Sequence, residues 1–154
     1  MNEHGFLIFV TGHPYFGRHA YNLASSIKAM DAEAEIAICY NGNAMNHLAE
    51  HQYDVFDYVI KADDKIPASH ICKLYAPEYT PFKKTVLLDA DMLWMQFKKP
   101  AELFSELKDV DFTAINEGNE SDPHPKYFFW ANVEEIKSKY QMKAQIHQWR
   151  TEVM

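Results

Sequence analysis

The chain has 154 residues, 47% of them hydrophobic, which matches roughly one ordinary domain with a single sizeable core. Its formal charge of -7 opposes a general attraction to nucleic acid or to an anionic membrane, and the neighbouring lysines Lys83–Lys84 and Lys98–Lys99 are isolated pairs rather than a basic patch. There is no apolar run of about 18 residues and no charged, apolar leader, so no integral membrane segment is expected; Cys39 and Cys72 form neither a C-x-x-C pair nor a zinc-type cluster and read as buried reduced thiols, which places the chain in the cytoplasm.

Residues 6–10, FLIFV, are a short continuous apolar run of strand formers, as expected for a strand buried on both faces of a mostly parallel sheet, and the run stops at the turn residues 11–14. Between residues 18 and 30 the apolar positions Ala20, Leu23, Ala24, Ile27 and Met30 recur at helical spacing and form one stripe against that sheet. A second buried strand is predicted over 34–40, closed by Asn41, Gly42 and Asn43, then a short helix over 44–51 and a third strand over 54–60. Residues 69–75 read as a helical turn entered through Ser69 and stopped by Pro77 and Pro81. Residues 85–88, TVLL, read as the most buried strand and run directly into Asp89, Ala90 and Asp91. Pro100 opens a helix carrying Leu103, Phe104 and Leu107; residues 111–115 read as a strand, 116–126 as a loop, and 133–149 as a terminal helix. The alternation of strands and helices with short connections points to an α/β layered fold.

The aspartate pair carries the strongest chemical signal. Two carboxylates one residue apart, directly after four apolar strand residues, concentrate negative charge at the carboxyl end of a sheet, where open α/β folds bind ligands. Mg²⁺ or Mn²⁺ would offset that charge, since such ions prefer hard oxygen ligands and often use one or two carboxylates together with substrate phosphates. Strand alternation would turn Asp89 and Asp91 to the same side, with the small Ala90 leaving the approach open. The competing reading is a solvated strand end with Trp94 packed nearby. The histidines read as surface groups, although His47 and His51 would share a helical face, and Asp63–Asp64 read equally well as acidic groups near the expected ligand-binding edge or as a polar turn.

Three stretches, in order along the chain, resemble the glycogenin-like and galactosyltransferase-like glycosyltransferases of the GT-A fold. They are residues 15–28, YFGRHAYNLASSIK; residues 73–75, KLY; and residues 81–93, PFKKTVLLDADML, followed by PAELF at 100–104. The resemblance implies a Rossmann-like nucleotide-sugar-binding domain over 1–118, with 119–154 as a loop and terminal helix on the same domain. It also implies transfer of a sugar from a nucleoside-diphosphate donor, UDP-linked, to an acceptor hydroxyl. Asp89 and Asp91 would hold the divalent ion, Asp91 the tighter ligand. Tyr15 would lie against the base, Thr11 and His13 would line base and ribose, and Lys73 would sit near the donor sugar or phosphates. By position alone, Asn116 and Glu117 could contact donor or acceptor. The family's later His-x-x-Gly-x-x-Lys-Pro segment is missing, and His147 reads as a surface or packing histidine, so the chain is either a fragment or a small variant. Two other readings stay open: a donor-binding module without turnover, and a phosphatase of haloacid-dehalogenase type, against which Leu93 stands where that motif has Thr or Val.

Overall fold

The computed structural model describes residues 2–96, 98–106, 115–119, 138 and 147–150, and the contacts divide the chain into two units, Met1–Val110 and Asp111–Met154. The first unit contains a four-stranded, all-parallel sheet of strands β1 (Asn2–Val10), β2 (Ile36–Tyr40), β3 (Tyr58–Lys61) and β4 (Phe82–Leu88) in the order β3-β2-β1-β4. Helices α1 (Tyr15–Met30), α2 (Ala76–Tyr79) and α3 (Pro100–Glu106) flank it, together with 3-10 helices at Glu50–Val55 and His70–Tyr75. This is the α/β, Rossmann-like architecture that the alternation of apolar runs predicts.

The central strand shows why. Phe6, Leu7, Ile8, Phe9 and Val10 are all at most 5% exposed, because β1 has a strand on each edge and a layer on each face. Its side chains alternate. Leu7 and Phe9 enter a cluster with Ala37, Cys39, Ile66, Cys72 and Phe82, whereas the Phe6 ring meets Trp94 and Phe104 edge-on at 5.5 and 5.1 Å. The register Ile8↔Leu88 and Phe6↔Ile36 sets where the strands end at the carboxyl edge. On α1 the buried residues are Gly17, Ala20, Leu23, Ala24 and Ile27, so the expected stripe gains Gly17 at its N-terminal end and loses Met30, which is only partly buried, at the other.

Several boundaries differ from the sequence reading for local reasons. The third strand begins at Tyr58 rather than 54, because the Asp57 carboxylate accepts the Ile36 N–H at 2.8 Å and the Lys28 ammonium at 3.0 Å. Residues 44–51 are not one helix: turns occupy 42–47 and the 3-10 helix starts only at Glu50, so His47 and His51 share no helical face. Pro77 does not stop a helix; it lies in the first turn of α2, where its missing N–H costs nothing. Asp63 forms a polar turn, accepting the Lys65 N–H at 2.8 Å.

In the second unit β5 (Ile115–Asn119) pairs antiparallel with β6 (His147–Arg150). Residues 116–119 are therefore strand rather than loop, and 147–149 are strand rather than helix. The remainder of the predicted terminal helix, apart from Ser138, lies outside the described residues, as do Leu107 of the preceding helix and 111–114 of the predicted strand.

Cys39 and Cys72 are free and buried. Burial pushes the Cys39 thiol up to about 12 from 9.0, with the Cys72 thiol adding to the effect. The folded protein thus keeps a proton that the unfolded chain releases near pH 9.0, so this contribution to stability is intact below pH 9 and is lost as the pH rises toward 12. A Cys39→Ala variant should show a shallower fall in melting temperature between pH 9 and 11 than the wild type. Equal slopes would mean the thiol is not protected.

Gly17 offers a second test. Replacing Gly by Ala inside a helix ordinarily stabilises by about 0.5–1 kcal/mol. Here, however, an added Cβ would lie 2.4 Å from the Ala44 carbonyl oxygen, a backbone atom already accepting the Gly17 N–H at 3.1 Å. Overpacking of this kind costs about 1–3 kcal/mol, so Gly17→Ala should lower the denaturant midpoint.

Candidate functional site

A sheet ordered 3-2-1-4 has its topological switch point between β1 and β4, since the chain leaves β1 toward β2 on one side and later returns to the other. The residues immediately past those two strands face a common cleft of about 220 Å³. Thr11, after β1, and Asp89, Ala90 and Asp91, after β4, line it. Its remaining wall comes from Phe9 and Val10 at the end of β1, Phe16 on α1, and Ala68, Ser69, Cys72 and Lys73 in and before the second 3-10 helix. Of the residues singled out in the sequence, Thr11, Lys73, Asp89, Ala90 and Asp91 are thus brought together.

The two aspartates are not equivalent. Strand β4 ends at Leu88 and residues 90–91 form a turn, so strand alternation does not govern their direction. Asp89 is largely covered and forms an ion pair with Lys73, the two side chains being 15% and 17% exposed. Asp91 is exposed. Lys73 therefore holds a carboxylate of the aspartate pair, a contact that the sequence reading did not foresee. Among the described residues no group of three or more His, Cys, Asp or Glu side chains converges, so a cation here would need ligands beyond the two aspartates.

Cys72 sits beside this pair. Burial raises its thiol above 9.0 against the opposing pull of the Thr11 hydroxyl, which hydrogen-bonds it, and of the Lys73 charge. It remains a neutral thiol at physiological pH and forms part of the wall rather than a thiolate nucleophile.

The segment after Asp91 is held by Trp94, whose backbone N–H donates to Ser26 Oγ at 2.8 Å and whose indole Nε1 donates to the Lys98 carbonyl at 2.7 Å. Ser26 in turn donates to the Leu23 carbonyl at 2.7 Å, so α1 anchors the aspartate turn from behind. Leu93 and Met95, on either side of Trp94, are exposed.

His13 and Tyr15 are not among the residues lining the cleft. They stack on one another at 4.8 Å where α1 begins, and Tyr15 also meets His47 edge-on at 5.8 Å, leaving Tyr15 56% exposed. Asn116 and Glu117 belong to the second unit; Asn116 pairs with Trp149, and the register skips at Glu117, a β-bulge. Phe16, Ser69, Cys72 and Ser26 were missed in the sequence. Only Cys72 carried a signal, its adjacency to Lys73.

No family model matches the chain, and no curated protein matches it.

The asymmetry of the aspartates has a thermodynamic consequence. Removing the Asp89 charge deprives the largely covered Lys73 ammonium of this carboxylate, which should cost about 1–3 kcal/mol, between the values for exposed and fully buried pairs. In chelator, Asp89→Asn should lower the denaturant midpoint accordingly, while Asp91→Asn should change stability by no more than about 0.5 kcal/mol. Equal losses would contradict the pairing.

Proposed function

We propose that the chain is the donor-binding part of a metal-dependent glycosyltransferase of GT-A type, acting on a nucleoside-diphosphate sugar, UDP-linked, with Mg²⁺ or Mn²⁺ at Asp89 and Asp91. The observation that carries this reading is the cleft at the β1/β4 switch point, where two carboxylates and one lysine meet Thr11 at the carboxyl edge of a parallel sheet. The donor set fits such an ion: two hard carboxylate oxygen ligands, with the remaining positions left to diphosphate and water. The cleft's 220 Å³ is below the roughly 300–1,000 Å³ of typical ligand pockets, so it suits a diphosphate and its ion, with nucleoside and sugar extending beyond.

In this reading Lys73 donates to phosphate oxygens, Thr11 offers a hydroxyl at the end of β1, and the exposed Tyr15 ring, backed by His13, stacks on the base. A bound divalent ion supplies neutralisation of the charge that develops on the departing diphosphate. Asp89 and Asp91 take no covalent part.

A second reading, a donor-binding module without turnover, draws support from the Lys73–Asp89 pair, in which a lysine balances the charge of one carboxylate. Calorimetric titration separates the readings when combined with an assay for sugar release from UDP-hexoses. UDP should bind in the presence of Mn²⁺, and Asp91→Asn should weaken it by at least about tenfold, the loss of one charge-assisted contact of about 1.5–3 kcal/mol. Binding without sugar release favours the module. Absence of any nucleoside diphosphate binding with Mn²⁺ present removes the donor-site reading altogether.

A further inference from the structure

Lys73 and Asp89 come from different segments, the last turn of a 3-10 helix and the turn after β4, and both side chains are more than four-fifths covered. A lysine closing on a carboxylate in a cleft has a definite charge consequence. Two carboxylates and one ammonium leave this part of the cleft one unit negative, which repels a diphosphate. A doubly charged cation on the carboxylates makes it one unit positive, which attracts one. The cation and Lys73 compete for Asp89, because an ammonium in direct contact with the carboxylate occupies an oxygen that the ion would use.

We propose that Lys73 is a counter-ion that holds Asp89 in the empty cleft and is exchanged for the divalent cation, whereupon the released ammonium turns to the diphosphate, so that cation and nucleotide bind cooperatively and the cation alone binds weakly. This rests on the donor-site reading for its nucleotide half only. The exchange itself rests on the ion pair and on the position of Asp91, which is exposed in the same cleft and provides the first foothold for the ion. Lys73 has a long flexible stem, so moving its head from carboxylate to phosphate requires side-chain rotation rather than refolding of the 3-10 helix. Breaking the pair with nothing in exchange is unfavourable, which is what suppresses binding of the cation alone.

The test uses Mn²⁺ and UDP as probes on the wild type, Lys73→Met, which keeps an apolar stem without the charge, and Lys73→Arg, which keeps the charge. Mn²⁺ binding is followed by the electron paramagnetic resonance of the free ion and by the rise in melting temperature on adding Mn²⁺. Without nucleotide, Lys73→Met should bind Mn²⁺ about tenfold more tightly than wild type, because the competing ion pair is gone, and should gain more melting temperature from it. UDP should tighten Mn²⁺ binding by roughly 5- to 150-fold in the wild type, the ordinary range of coupling between two ligands, and by far less in Lys73→Met. Lys73→Arg should resemble the wild type, which also guards against a folding defect at this position.

Equal Mn²⁺ affinity of wild type and Lys73→Met overturns the exchange, as does failure of both to bind Mn²⁺. Tighter Mn²⁺ binding by Lys73→Met with an undiminished UDP effect overturns the coupling. Tighter Mn²⁺ binding with no UDP effect in either protein upholds the exchange of lysine for cation and overturns the nucleotide reading instead.

Discussion

The parallel pairing of β4 with β1, on the edge opposite β2, is the constraint on which the cleft depends. Once Ile8 is in register with Leu88, the chain leaves both strands at nearly the same level, and Thr11 and Asp89 must emerge together. That pairing is itself forced by burial. The β1 run has no polar face, so it is stable only between two strands and beneath two layers, and β4 supplies the missing edge. Gly5 shows how closely the two strands fit: a Cβ there would fall 2.3 Å from the Phe82 ring, which lies across it.

On this frame the electrostatics of the cleft are sparse. One lysine answers one of two carboxylates, a neutral thiol fills the wall beside them, and the second carboxylate is left toward solvent. Under the proposed exchange of Lys73 for a cation, such an arrangement binds little by itself and more in combination. The same segment is kept in place from the side of α1, where Ser26 accepts the Trp94 N–H, so packing and hydrogen bonds position the aspartate turn.

Much of the first unit could be read without a structure, because burial leaves a periodic mark. The FLIFV and TVLL runs, the helical stripe through Leu23 and Ile27, and the carboxylates placed just beyond a strand all follow from spacing, and all reappear in the fold. Errors fell where periodicity is silent. A 3-10 helix at Glu50–Val55 buries no side chain and leaves no stripe, and Asp57 delays β3 through bonds to Ile36 and Lys28 that no local pattern announces. The pairing of β5 with β6 joins residues far apart in the chain, one of them in a Gly- and Asn-containing stretch that resembles a turn, and local propensity has no view of such a partner.

The amino-acid order alone therefore determined the layered α/β class, the central strand, the first helix and the location of the acidic pair, since each is recorded in which residues must avoid water. Tertiary structure alone decided that Lys73 grips Asp89, that Asp91 does not share its environment, and that Phe16 rather than Tyr15 lines the cleft. Those facts depend on strand register and on where separate segments meet, and a side chain's charge says nothing about which distant partner the fold will bring to it.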